Sequence, residues 1–142
     1  MIMKDQQFAD NFWLSEFLVS NDFPDIAEQL CPNIYHVDNL YLLCYTILQP
    51  TRDHFNCAMN VSSGYRNEKL NILVQGSFKS LHLYGKAVDI YPENLSYLKP
   101  MYNYIKKTMP YAFIELIWYK QHNFIHIGLP HINKSRLLKI NE

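Results

Sequence analysis

The sequence predicts an α+β domain in which helices pack on one side of a small antiparallel sheet and the open face of that sheet carries the functional groups. Three observations predict it. Apolar residues recur at helical spacing in two stretches, first Leu40, Leu43, Cys44, Ile47 and Leu48, then Leu95, Leu98, Met101, Tyr102 and Ile105. Between and after them lie short β-branched and aromatic runs bounded by Gly, Pro or Asn, which is how strands are punctuated. The length, 142 residues, fits a single domain, 1–142, with one core that needs no disulfide staple.

Taken in order, Phe12 to Ser20 is aromatic-rich and too short to assign, and is expected to lie across the core as a lid. Pro24 opens a short helix through Leu30 that ends before Pro32. The first long helix is predicted from about Asp38 to Phe55, kinked or broken at Pro50, with Thr51 to His54 as a last exposed turn. Ala58 to Ser62 alternates as a strand and feeds Ser63-Gly64-Tyr65-Arg66, where glycine permits a tight turn. Asn67 to Val74 reads as a short helix closed by Gly76 and Ser77. A second long helix is expected from Leu95 to about Thr108, with Pro100 in its first turns. Ala112 to Tyr119 and Phe124 to Gly128 form a hairpin joined by Lys120 to Asn123. The tail after Pro130 fits either an edge strand or a short helix.

Composition narrows the function. Hydrophobic residues at 49% and aromatics at 15% describe a folded chain, so disorder is excluded. Thirteen basic residues balance thirteen acidic ones, which argues against nucleic acid as a partner. The three cysteines, Cys31, Cys44 and Cys57, are odd in number and lack C-x-x-C spacing, so they are expected as small core residues. Lys4 is followed by Asp5, Gln6 and Gln7, which is not a signal peptide, and no run approaches the ~20 apolar residues of a membrane span. The expectation is a cytoplasmic product that acts on anything outside the cell only after release.

The chemistry centres on Ser80 to Tyr91. Asp89 sits in an apolar run with Ala87, Val88 and Ile90, where a carboxylate is costly without a cation or several donors. His82, across the turn at Gly85, offers an imidazole nitrogen, and nitrogen plus carboxylate oxygen is an ordinary zinc set. Period-two alternation sets His126 apart from Ile125 and Ile127. Singly, each residue has a plainer reading, as a surface polar group or a hydrogen-bonded core histidine. Together they make a His-Asp-His set of three, the number a catalytic zinc uses when water takes the fourth position.

Ser63-Gly64-Tyr65-Arg66, then Ser80-x-His82-x-x-Gly85-x-Ala87-x-Asp89-Ile90, then Phe124-Ile125-His126-Ile127 resemble, in order and spacing, the zinc D-alanyl-D-alanine carboxypeptidases. That family includes the dipeptidases of vancomycin resistance and phage endolysin peptidases, on the Hedgehog/DD-peptidase fold. Leu48-Gln49-Pro50-x-Arg52 and Asn71-x-x-Val74-x-Gly76 extend the likeness over most of the chain, toward short phage and prophage members. The resemblance implies His82, Asp89 and His126 as Zn2+ ligands and Arg66 as the group that holds the substrate carbonyl or carboxylate and the oxyanion. It also implies Tyr65 beside the substrate and a peptidoglycan stem peptide as partner, while Ser80 either lies beside the substrate in support of a ligand or caps the local turn; a monomer is expected. The chain departs from the family at one place. Tyr119 stands where the family carries a glutamate base, while Glu115 stands where glutamine is common. Residues 115, 117 and 119 project to one side of the strand. Three readings follow: Glu115 is the base, Tyr119 is a proton donor, or the chain is a catalytically impaired relative that binds cell-wall peptide or protein. His122, on the hairpin turn, is a fourth candidate. For Arg66 the alternative is a plain ion pair with Asp89 and no metal.

Overall fold

The computed structural model describes residues 5–142. Of the ten N-terminal residues read as leader-free, Met1 to Lys4 lie outside the described residues. Among the described residues no helix is long and apolar enough to cross a membrane.

A five-stranded sheet organises the fold, with strands β3 (Met59–Ser63), β4 (Ala87–Pro92), β5 (Glu115–Tyr119), β6 (Phe124–Gly128) and β7 (Leu137–Asn141) in the order β3-β4-β6-β5-β7. Four of these strands run antiparallel, as expected, and the tail resolves as an edge strand lying parallel to β5. Its register sets Glu115 opposite Leu137 and Tyr119 opposite Asn141. Strand β5 begins three residues later than the sequence reading placed it, at Glu115.

One face of the sheet is the core. Val88 and Ile90 of β4, Leu116 of β5, and Ile125 and Ile127 of β6 are fully buried there, against helix α2 (Ile34–Leu43) and helix α5 (Leu98–Thr108). Helix α2 starts four residues before the expected boundary, because Asn33 caps it by accepting the His36 N–H at 3.0 Å. Pro50 does not break the helical run. Cys44–Leu48 widens into a π turn, with the Gln49 N–H bonded back to the Cys44 carbonyl, and helix α3 (Gln49–Phe55) then continues. A proline has no N–H to give and crowds the preceding turn, so the helix widens locally ahead of it and runs on. The stripe from Leu40 to Leu48 is buried as predicted. Thr51 corrects the reading of an exposed last turn: it is fully buried, and its hydroxyl donates to the Ile47 carbonyl at 2.7 Å.

The N-terminal stretch is core rather than lid. β1 (Gln7–Ala9) and β2 (Phe12–Trp13) form a small hairpin, and Phe8, Phe12, Leu14 and Phe17 are buried among the helices. The short helix α4 (Glu68–Leu73) sits where the sequence places it, capped by Asn67, and α1 (Pro24–Ala27) opens at Pro24 as expected but ends three residues before Leu30. Of the cysteines only Cys44 is a buried core residue. Cys31 is exposed and Cys57 half-buried, and all three are free thiols.

Candidate metal and catalytic cleft

The opposite face of the sheet floors a cleft of about 640 Å³. Alternation delivers the floor directly: Asp89 pairs across from His126, and His126 from Ile117, so these side chains rise in one row over three strands. Glu115 stands one pleat along, opposite Gly128. Tyr119 and Phe124 continue the same face and stack on each other, with centroids 4.6 Å apart.

His82 enters from the side. Ser80 caps the 3-10 turn Leu81–Tyr84 by accepting the His82 N–H at 3.2 Å, and Gly85, at φ +68°, reverses the chain into β4. A β-carbon at Gly85 would strain that left-handed conformation and strike the His36 carbonyl. The turn buries the imidazole, whose Nδ1–H donates to the Gly64 carbonyl at 2.7 Å. With its proton fixed there, Nε2 presents a lone pair to the site.

That lone pair faces Asp89 Oδ1 at 3.4 Å. Burial depresses the His82 pKa, so the ring is neutral, and two acceptors confront each other with no proton between them. A cation resolves such a contact. Burial alone would raise the Asp89 pKa, yet the facing imidazoles hold its carboxyl far below the usual carboxylate range. The third member, His126, has Nδ1 2.8 Å from Asp89 Oδ1 and Nε2 2.8 Å from Glu115 Oε1. Burial would lower its pKa, but hydrogen bonds to the two carboxylates outweigh that and push it up to about 9. Donor atoms of His82, Asp89 and His126 all lie within 4.8 Å of one another. Two imidazole nitrogens and a carboxylate oxygen at this spacing fit a divalent metal of the zinc type, with room on the cleft side for a further ligand.

Arg66 follows β3 and is held from three sides. Its Nε donates to Ser63 Oγ at 3.1 Å, Nη1 to Asn71 Oδ1 at 3.3 Å, and Nη2 lies 3.7 Å from Asp89 Oδ2. The ion pair considered from sequence is therefore present, at the edge of the donor cluster. Asn71, a buried amide bonded in turn to the Ser77 carbonyl at 3.0 Å, had no role in the sequence reading beyond the likeness to the family. A polar residue on the inward side of a short helix, five positions before a glycine, was the available signal.

The remaining expectations divide. Ser80 lines the cleft and caps the turn. Tyr65 is not brought to the cleft: it is buried and stacks on His36 at 4.7 Å, because the turn after Gly64 sends residues 65 and 66 in opposite directions. Tyr119 lines the cleft, and burial together with the charges of Asp89 and Glu115 raises its pKa, so its phenol stays protonated. His122 borders the cleft on the short turn Lys120–His122. Sequence reasoning missed Lys134, whose Nζ lies 3.6 Å from Glu115 Oε2. Nothing local to the 129–136 loop marks it, and it reaches the site only because β7 docks beside β5.

The family model for peptidase M15 matches residues 18–128, which include every member of the donor cluster, Arg66, Glu115 and Tyr119. Comparison with curated proteins found no match to the chain.

Proposed function

Because the chain belongs to the peptidase M15 family, we propose that it is a zinc-dependent peptidase that hydrolyses peptide bonds in bacterial peptidoglycan stem peptides. The observation that carries this reading is the convergence of His82, Asp89 and His126 on the floor of an open cleft, beside a restrained guanidinium. In it, His82, Asp89 and His126 hold the ion. When bound, zinc supplies Lewis acidity, polarising a carbonyl and making water a nucleophile near neutral pH. Arg66 binds the substrate carbonyl or carboxylate and the charge that grows on that oxygen, since a planar fork of N–H donors suits a two-oxygen anion. Its bonds to Ser63 and Asn71 fix the guanidinium at the edge of the donor cluster. Tyr119, protonated at working pH, offers an O–H to the reacting peptide from the far side of the cleft.

A second reading has one observation in its favour. Tyr119 occupies the position where the resembling carboxypeptidases carry a glutamate, so the chain would bind cell-wall peptide or a protein without cutting it. One experiment separates the two. Protein purified without added zinc is analysed for metal and then incubated, zinc-loaded, with muropeptides while products are followed by mass spectrometry. The expected result is one zinc per chain and a defined cleavage product, with zinc lost in His82→Ala and retained in His122→Ala. Stoichiometric zinc and saturable muropeptide binding without product would establish the binding module instead.

A further inference from the structure

His126 is gripped at both ring nitrogens, and the two grips face different ways. Nδ1 points into the donor cluster, where Asp89 Oδ1 lies at 2.8 Å and His82 Nε2 approaches the same oxygen. Nε2 points to the opposite edge of the ring, at Glu115 Oε1, also 2.8 Å away. A carboxylate on the Nε2 edge cannot at the same time take a proton from water on the Nδ1 edge. The place of Glu115 is also built. A β-carbon on Gly128, its cross-strand neighbour, would lie 2.8 Å from Glu115 Oε1, so the glycine leaves the space that the carboxylate fills. Lys134, from beyond the segment that matches the family, holds the second oxygen at 3.6 Å.

We propose that Glu115 is a positioning residue. It accepts the Nε2–H of His126, fixes the tautomer that turns the Nδ1 lone pair toward Asp89 and His82, and is itself held by Lys134. It does not activate the attacking water. This rests on the ligand set given under Proposed function. A carboxylate behind a ligating histidine raises the basicity of that ligand and fixes its ring, and losing such a partner commonly weakens metal affinity by about 10- to 100-fold.

The test compares Glu115→Gln and Glu115→Ala with the native chain. Zinc affinity is measured by competition with a chromophoric chelator, and the His126 ring nitrogens are assigned by NMR in the zinc-loaded protein. Folding of each variant is checked by circular dichroism. Gln keeps an acceptor for Nε2–H. Glu115→Gln is therefore expected to bind zinc within about fivefold of native, with the metal on Nδ1, and to keep muropeptide turnover within about tenfold. Glu115→Ala is expected to lose about 10- to 100-fold in zinc affinity. The proposal is overturned if His126 carries the metal on Nε2, or if Glu115→Ala binds zinc as the native chain does. It is equally overturned if Glu115→Gln binds zinc natively yet loses turnover by more than about a hundredfold, the signature of a base. A native chain that binds zinc but cuts nothing leaves the affinity and NMR results to decide this point alone. A native chain that binds no zinc removes the ligand set, and this inference with it.

Discussion

Neighbouring residues on the same strands do opposite work on the two faces of this sheet. Val88, Ile90, Ile125 and Ile127 are fully buried against helices, while Asp89 and His126, one residue away, floor the cleft. The core face is held by area and volume, which are non-directional, so hydrophobic residues of similar size serve almost equally. The cleft face is held by hydrogen bonds 2.7 to 2.8 Å long between specified atoms, where a change of one group leaves its partners buried and uncompensated. A one-residue slip in register would exchange the two faces. Chemistry and stability are thus separable here by parity along a strand.

That separation can be broken experimentally. The largest effect is expected from the donor set: Asp89→Ala should abolish bound zinc and reduce muropeptide turnover to background, and zinc retained at one per chain in this variant would end the assignment. Next, Arg66→Met should retain zinc but lower kcat by about 10²- to 10³-fold, the usual consequence of losing a donor to a developing oxyanion. Metal analysis and steady-state kinetics on one preparation check both. On the other face, Ile127→Ala should cost about 2–5 kcal/mol in urea unfolding while zinc content stays at the native level. Loss of metal in a folded Ile127→Ala protein would show that the faces are not independent.

The pH dependence of the metal-free chain sharpens the contrast, because His82, Asp89 and His126, all shifted from their ordinary values, stand on the cleft face. His126 has a folded pKa of about 9 against an ordinary 6.5, so its contribution to stability is fully present below pH 6.5 and is lost as pH rises through about 9. Asp89 is depressed, so its contribution is present above its unfolded pKa and is lost only in strong acid. His82, depressed by burial, works against stability below 6.5. Urea midpoints of chelator-treated protein should therefore fall between pH 6.5 and 9, and His126→Phe should flatten that decline. The smallest change is expected from Ser80→Ala, which removes a turn cap for about 1 kcal/mol and leaves zinc bound, as a thermal melt and metal analysis would register.

Much of the site was legible because its spacing is local. The interval from Ser80 to Asp89 spans one turn and one strand, and a polar residue in an apolar run signals itself wherever the chain folds. The helical stripes and the hairpin were legible for the same reason. What was not legible depended on long-range contacts. The direction of Tyr65 follows from a turn wedged beneath Phe17, whose carbonyl accepts the Tyr65 N–H at 2.9 Å. The burial of Thr51 follows from a π turn that no periodicity announces, and the arrival of Lys134 depends on a parallel edge strand that a dozen residues of ambiguous tail could also have avoided.

The sequence by itself determined the α+β class and the set His82, Asp89 and His126 that the structure brings together, because alternation and residue chemistry are properties of short segments. Only the tertiary structure decided which nitrogen of His126 faces the donor cluster and that Glu115 stands behind it. Those are relations among side chains from different strands, and the order in which strands pair is fixed by the packing of the whole core.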